Sequence, residues 1–304
     1  MKVTLDLTDL VATGHLTQSE ADKLARLGAQ DTGSLGSNIL LAFGTVAVAL
    51  GIGFLLPTVE TAIIAGVVLF GIGLGLILNR ATKWALFAQF CATLGALAIV
   101  GGVSVLSDGS IYVSLALTLG LAVAAAVARS GLLAALAIIE LSFALGAGTA
   151  YWHASYFFGV ERPAITVGIL AVVTLALFFA SLRLPPAYER LCIIAARTAI
   201  LMINLGFLVG SLFGDQMLGW PVGWFTIGWA LLLIGVGGWA VVANRRWVVN
   251  AAAVFGAIHF YTQWFEYLGP NPFSVLGGGL LLVLFGLLLR WFNARVHPAG
   301  PAAA

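Results

Sequence analysis

Ten stretches of the chain are almost continuously apolar, separated by short polar connections. They fall near residues 36–56, 61–79, 84–106, 111–128, 131–153, 163–182, 189–213, 222–243, 247–267 and 273–293. Each is close to the ~20 residues that an α-helix needs to cross a ~30 Å hydrocarbon core. The pattern predicts an all-α fold: a polytopic transmembrane bundle of about ten helices over residues 36–295. Residues 1–35 are the one extended polar segment. "TDLVATGHLTQSEADKLARLGAQ" predicts two short helices broken at Gly14. Thr17 and Glu20 have the spacing of a capping box, in which each side chain satisfies a free amide at the helix start. Val11, Leu16, Ala21, Leu24 and Leu27 give this hairpin only a thin apolar face. It cannot bury a core alone, so it is expected to pack on the membrane domain or on a protein partner in the cytosol. The segment 296–304 is expected to be a disordered tail.

Composition agrees with lipid as the solvent. Of 304 residues, 61% are hydrophobic and 9% charged, against roughly 25% charged in a soluble domain. The 37 glycines fit close helix approach in a membrane. A net charge of +2 gives no footprint for a nucleic-acid partner. Cys91 and Cys192 both lie in apolar runs and read as small core residues. No apolar stretch follows Lys2, so no cleavable signal peptide is expected.

The basic residues set the orientation. With the N-terminus inside, the inner loops and tails hold Lys2, Lys23, Arg26, Arg80, Lys83, Arg129, Arg183, Arg190, Arg245, Arg246, Arg290 and Arg295. The outer loops hold only Arg162, together with Glu60, Asp108, Glu161, Asp215 and Glu266. This asymmetry predicts an even helix count with both termini in the cytoplasm.

A bulky-residue–glycine step recurs at Phe43-Gly44, Leu94-Gly95, Leu145-Gly146, Leu205-Gly206 and Phe255-Gly256. It suggests five parallel two-helix repeats. Six residues before each glycine stand Asn38, Gln89, Glu140, Ile200 and Asn250. Glu140 is the exceptional member, a carboxylate inside "LLAALAIIELSFALGAG". An acid at a helix centre costs roughly 2.5–3.5 kcal/mol on insertion scales, and less toward an interface. The register puts Glu140 in the cytoplasmic half of its helix, with Gln89 or Arg197 as partners. Arg197 otherwise snorkels to the interface, and Glu140 is otherwise protonated and bonded to a neighbouring helix.

On the outer side, "YWHASYFFGVERP", "MLGWPVGWFTIGW" and "IHFYTQWFEYLGP" read as an aromatic belt. His259, Gln263 and Glu266 share one helix face and, with His153, are candidates for an outward vestibule. They make a poor metal set. No metalloprotease, nucleophile-elbow or P-loop motif occurs. The chain therefore reads as a non-enzyme that calls for no cofactor.

"LVATGHLTQSEADKL", the glycine-rich core and "IHFYTQWFEYLG…SVLGGGLLLVLFGLLLRW" together resemble a bacterial family of predicted polytopic membrane proteins without an assigned function. The resemblance implies a bacterial inner-membrane protein and carries over no catalytic or binding residue. Two functions remain open. One is a transporter or flippase-like permease for a small molecule, ion or lipid, working through Glu140, Gln89, Arg197, Asn38 and Asn250. The other is a non-transporting scaffold or sensor acting through its cytosolic hairpin and a protein partner.

Overall fold

The computed structural model describes residues 10–11, 13–152, 155–243 and 245–296. From Gln18 onward these form ten α-helices and one β-hairpin. The helices are α1 (Gln18–Leu55), α2 (Val59–Leu78), α3 (Ala85–Leu106), α4 (Ile111–Ala128), α5 (Gly131–Ala144), α6 (Pro163–Ser181), α7 (Pro186–Phe213), α8 (Val222–Val242), α9 (Arg246–Leu268) and α10 (Pro272–Val296). Strands β1 (Ala147–Trp152) and β2 (Ser155–Val160) lie between α5 and α6. Seven helices are long and apolar enough to cross a bilayer: α1 over 38–55, α2, α3, α4, α6, α7 and α8. Large apolar side chains such as Phe43, Ile64, Leu119, Val172 and Leu231 are exposed along them. This is the architecture of a multi-pass membrane protein.

Each apolar run begins as a helix, but the fifth does not remain one. α5 stops at Ala144, 14 residues long. Gly146 then takes a left-handed φ of +106° that a side chain would disfavour. The chain continues into an antiparallel hairpin in which Ala147 pairs with Val160 and Trp152 with Ser155. The expected single helix over 131–153 is thus a short helix followed by a strand. At the break, the Leu145 carbonyl accepts the Thr166 hydroxyl at 3.1 Å and the Gly146 carbonyl accepts the Glu161 amide at 2.8 Å. Backbone groups freed from a helix must find partners of this kind wherever water is excluded.

The N-terminal segment also differs from expectation. The turn at Gly14 is present, with φ +74°, and the capping box forms: Thr17 donates its amide and hydroxyl to Glu20 at 2.9 and 2.7 Å. The helix that it starts does not end before residue 36 but runs unbroken into the first apolar stretch. Residues 1–9 and 297–304, including the expected tail, lie outside the described residues.

The chain divides into two compact units, Met1–Ala144 with Ala176–Thr198 and Leu145–Leu175 with Ala199–Ala304. In the first, α2 and α3 pack so closely that their backbones nearly touch. A Cβ on Gly73 would lie 2.7 Å from the Ala88 carbonyl oxygen, and one on Gly95 would lie 2.6 Å from that of Gly66. Buried Ala88, Cys91, Ala92 and Ala96 continue this small-residue seam. α5 packs along α4 in the same unit, and α9 along α8 in the second. These extensive pairings join helices across the connections 79–84, 129–130 and 243–245, whereas the expected repeat pairs them across the alternate connections. The recurrent glycines share no common role either: Gly95 sits in a tight crossing, Gly146 ends a helix, and Gly44 and Gly256 face open space.

Candidate functional site

In the first unit, polar side chains fasten the helix ends beside the basic connections 79–84 and 129–130. Asn38 donates to the Lys83 carbonyl at 2.9 Å and accepts the Phe87 amide at 3.4 Å, which ties α1 to the start of α3. The Gln89 amide oxygen accepts the Ser130 hydroxyl at 2.7 Å. Ser130 precedes α5, is 2% exposed, and also receives the Leu133 amide at 3.5 Å. It acts as the α5 N-cap, and Gln89 holds that cap against α3. Arg129 closes α4 in the left-handed region, φ +49°, with its guanidinium 5.9 Å from the Tyr188 ring centre.

Glu140 lies four residues before the end of α5 and is 3% exposed. The Ser114 hydroxyl of α4 hydrogen-bonds to its carboxyl. Its Oε1 is enclosed and accepts no hydrogen bond. One turn along α4 from Ser114, on the same face, Thr118 Oγ1 is likewise enclosed without a partner. Glu140 and Thr118 thus carry two enclosed polar oxygens that the described residues leave unsatisfied. Native proteins leave few such atoms. α5 has ended one turn beyond Glu140, so its unpaired carbonyls give that end a partial negative charge. Arg197 is on α7 and engages in a contact of its own. α7 also lays Ile194 on Gly131 at the start of α5.

The second unit holds a polar cluster around Trp229, which is fully buried. Its indole N–H donates to Asn204 at 2.9 Å, and the Asn204 amide donates to the Ile200 carbonyl at 2.8 Å. Phe207 stacks on it with centroids 6.4 Å apart, and His259 meets it edge-on at 4.9 Å. Asp215, 2% exposed, accepts the Ala164 amide at 3.0 Å and the Leu218 amide at 2.9 Å. It thereby caps α6 from fifty-one residues away.

The sequence-predicted residues divide between these settings. Asn38 and Glu140 are buried, and Gln89 is half-buried within a helix contact. Asn250 is exposed, so it is not part of a buried cluster. His259 and Gln263 are half-buried, with His259 Nδ1 and Gln263 Nε2 enclosed and unbonded, while Glu266 is exposed. His259 is thus set against Trp229, and the three do not form one exposed stripe. His153 lies outside the described residues. Sequence reasoning missed Ser114, Ser130, Asn204, Trp229 and the capping role of Asp215. A lone Asn in "AILMINLGF" and a Ser directly before the fifth run were the available signals.

An apolar crevice of about 800 Å³ between α1 and α2 is lined by residues such as Leu40, Leu41, Thr45, Ile64 and Val68. It holds no ionisable side chain and lies apart from the Glu140 seam. Among the described residues, no group of three or more His, Cys, Asp or Glu could hold a metal ion. Compared with known families, curated proteins and solved structures, the chain matches none.

Proposed function

We propose that the protein is a membrane permease for a small molecule, ion or lipid, with Glu140 on its pathway. The carrying observation is an enclosed carboxyl with a free oxygen, one turn before α5 breaks off. Ionisable groups inside membrane segments mark ion or substrate paths by default. Carriers place such groups where helices are interrupted, because half-helix ends present unpaired backbone groups to an ion or substrate. Fourteen residues span about 21 Å, and Glu140 lies about 14 Å from the helix start at 1.5 Å per residue. With the start of α5 at the inner interface, that depth is near the middle of a ~30 Å core, deeper than the repeat register suggested. We place the protein in a bacterial inner membrane with both termini cytoplasmic, on the basic-loop asymmetry and the family resemblance, and assign it no catalytic role or cofactor.

A second reading has its own observation. The Glu140 oxygen is enclosed rather than open to either side, which is what a packing element of a scaffold or sensor would show. That protein would act through a partner at the cytosolic N-terminal segment. A closed carrier would look the same at rest, so access separates the two. Single cysteines at Ser114 and Ala137, with the native cysteines replaced, would be probed by water-soluble thiol reagents in proteoliposomes. The permease reading expects slow, side-dependent labelling and solute flux. Complete protection together with no flux would leave the scaffold.

A further inference from the structure

We propose that Glu140, with the Ser114 hydroxyl beside it on α4, is a proton-binding site. The carboxyl takes up a proton from water on one side and releases it on the other. This deepens the permease reading and rests on it, naming the coupling ion as the proton.

Glu140 Oε1 and Thr118 Oγ1 are both enclosed, so no room is left beside them for a hydrated cation. Hard cations need about six oxygen ligands, and no opening beside the enclosed Glu140 Oε1 admits the waters that would supply most of them. An ionised carboxyl would face the Ser114 hydroxyl and the partly negative end of its own helix, a poor setting for an anion. A proton needs no added volume. It forms an O–H bond on the carboxyl, cancels the charge, and supplies a donor. The Ser114 hydroxyl suits both forms: it can donate to the carboxylate or accept from the acid, so loading and unloading need only rotate an O–H. The other titratable or charged groups on helices packed against α5 are Cys91 on α3, Tyr112 and Arg129 toward the two ends of α4, and Tyr188, Glu189, Arg190, Cys192 and Arg197 on α7. Of these, Cys91 is fully buried and Arg197 is itself engaged.

A hydrophobic carbodiimide tests the site, because it reacts with protonated carboxyls in membranes and not with carboxylates. The full chain in proteoliposomes is treated across a pH series, and adducts are located by mass spectrometry. Labelling at Glu140 should be strong at acid pH and fall at least tenfold at alkaline pH. Glu140→Gln should be unlabelled, and Glu140→Asp, which keeps a carboxyl if Gln fails to fold, should regain the adduct. Proton entry under an imposed pH gradient, read by an internal pH dye, should be lost in Glu140→Gln. No adduct at Glu140 at any pH in folded protein overturns the proposal, whatever flux is seen. Labelling that follows pH without proton or solute flux keeps the proton site and removes the permease. Sodium-driven flux that ignores pH overturns the proton as coupling ion while leaving the permease.

Discussion

Single side chains at helix ends carry two consequences of opposite kind. Asp215 satisfies two amides that lie in a buried corner, Ala164 at the start of α6 and Leu218 in its own turn. Removing one partner of a buried hydrogen bond costs about 1–3 kcal/mol, because the other is left unpaired. Asp215→Ala should therefore lower thermal stability by at least that amount, while Asp215→Asn, which keeps one acceptor oxygen, should lose less. Equal melting of wild type and Asp215→Ala in detergent would contradict the capping role. Glu20 is the exposed counterpart. The Thr17 amide and hydroxyl hold its carboxyl below the ordinary glutamate value. A lowered folded value means that the capping box stabilises the helix start above the unfolded value, about 4.3, and loses that contribution as pH falls through the folded one. The Thr17 amide resonance should titrate with a midpoint below about 4.3, and Glu20→Gln should abolish the titration. The capping box was legible from spacing alone because both partners are local. The Asp215 cap was not, since Ala164 lies fifty-one residues from it and nothing in the local pattern joins them.

At the scale of the element, run length foretold both ends of eight of the ten helices to within three residues, and missed the start of α1 and the end of α5. The boundaries emerge from the sequence because lipid demands a continuous apolar surface about 20 residues long. The α5 break was hidden by the same rule: "AGTAYWHASYFFGV" is apolar and aromatic, so it reads as more of the run, although aromatic and small residues serve a strand equally well. The extension of α1 was hidden for the opposite reason. Gly28, Gly33 and Gly36 suggest a boundary, yet a glycine costs a helix only about 1 kcal/mol and no proline intervenes. Glycine matters more where helices touch. Gly73→Leu would drive a side chain into the Ala88 and Ala92 backbone, and overpacking of this kind costs about 1–3 kcal/mol. Gly75, two residues along α2, meets nothing within 4 Å of its missing Cβ. Gly75→Ala should be neutral or stabilise by about 0.5–1 kcal/mol, since it removes a helical glycine without a clash. Similar melting of Gly73→Leu and Gly75→Ala would mean that the α2–α3 approach is not what holds this unit.

For the whole molecule, the question is how many of the ten helices cross. Seven satisfy length and hydropathy, and seven crossings alone would put the termini on opposite sides. The packing argues for more. α9 falls short in hydropathy because it carries Asn250, His259, Thr262, Gln263 and Glu266, but it has 23 residues, about 35 Å. His259 is set against Trp229 of α8, so part of its polar content faces protein rather than lipid. α9 follows α8 after a short connection and packs along it; if α8 spans, α9 returns beside it. The same holds for α5, which packs along α4. α10 has 25 residues, long enough to cross once more. We therefore expect an even number of crossings, which the twelve inner basic residues against one outer also demand. Reporter fusions after residues 130, 184, 245 and 296 should all report the cytoplasm, and fusions near residues 58, 108 and 270 the outside. A C-terminal fusion that reports the outside would remove one of α5, α9 or α10 from the spanning set. If the fusions at 130 and 184 also reported opposite sides, that helix would be α5, and Glu140 would leave the pathway with it.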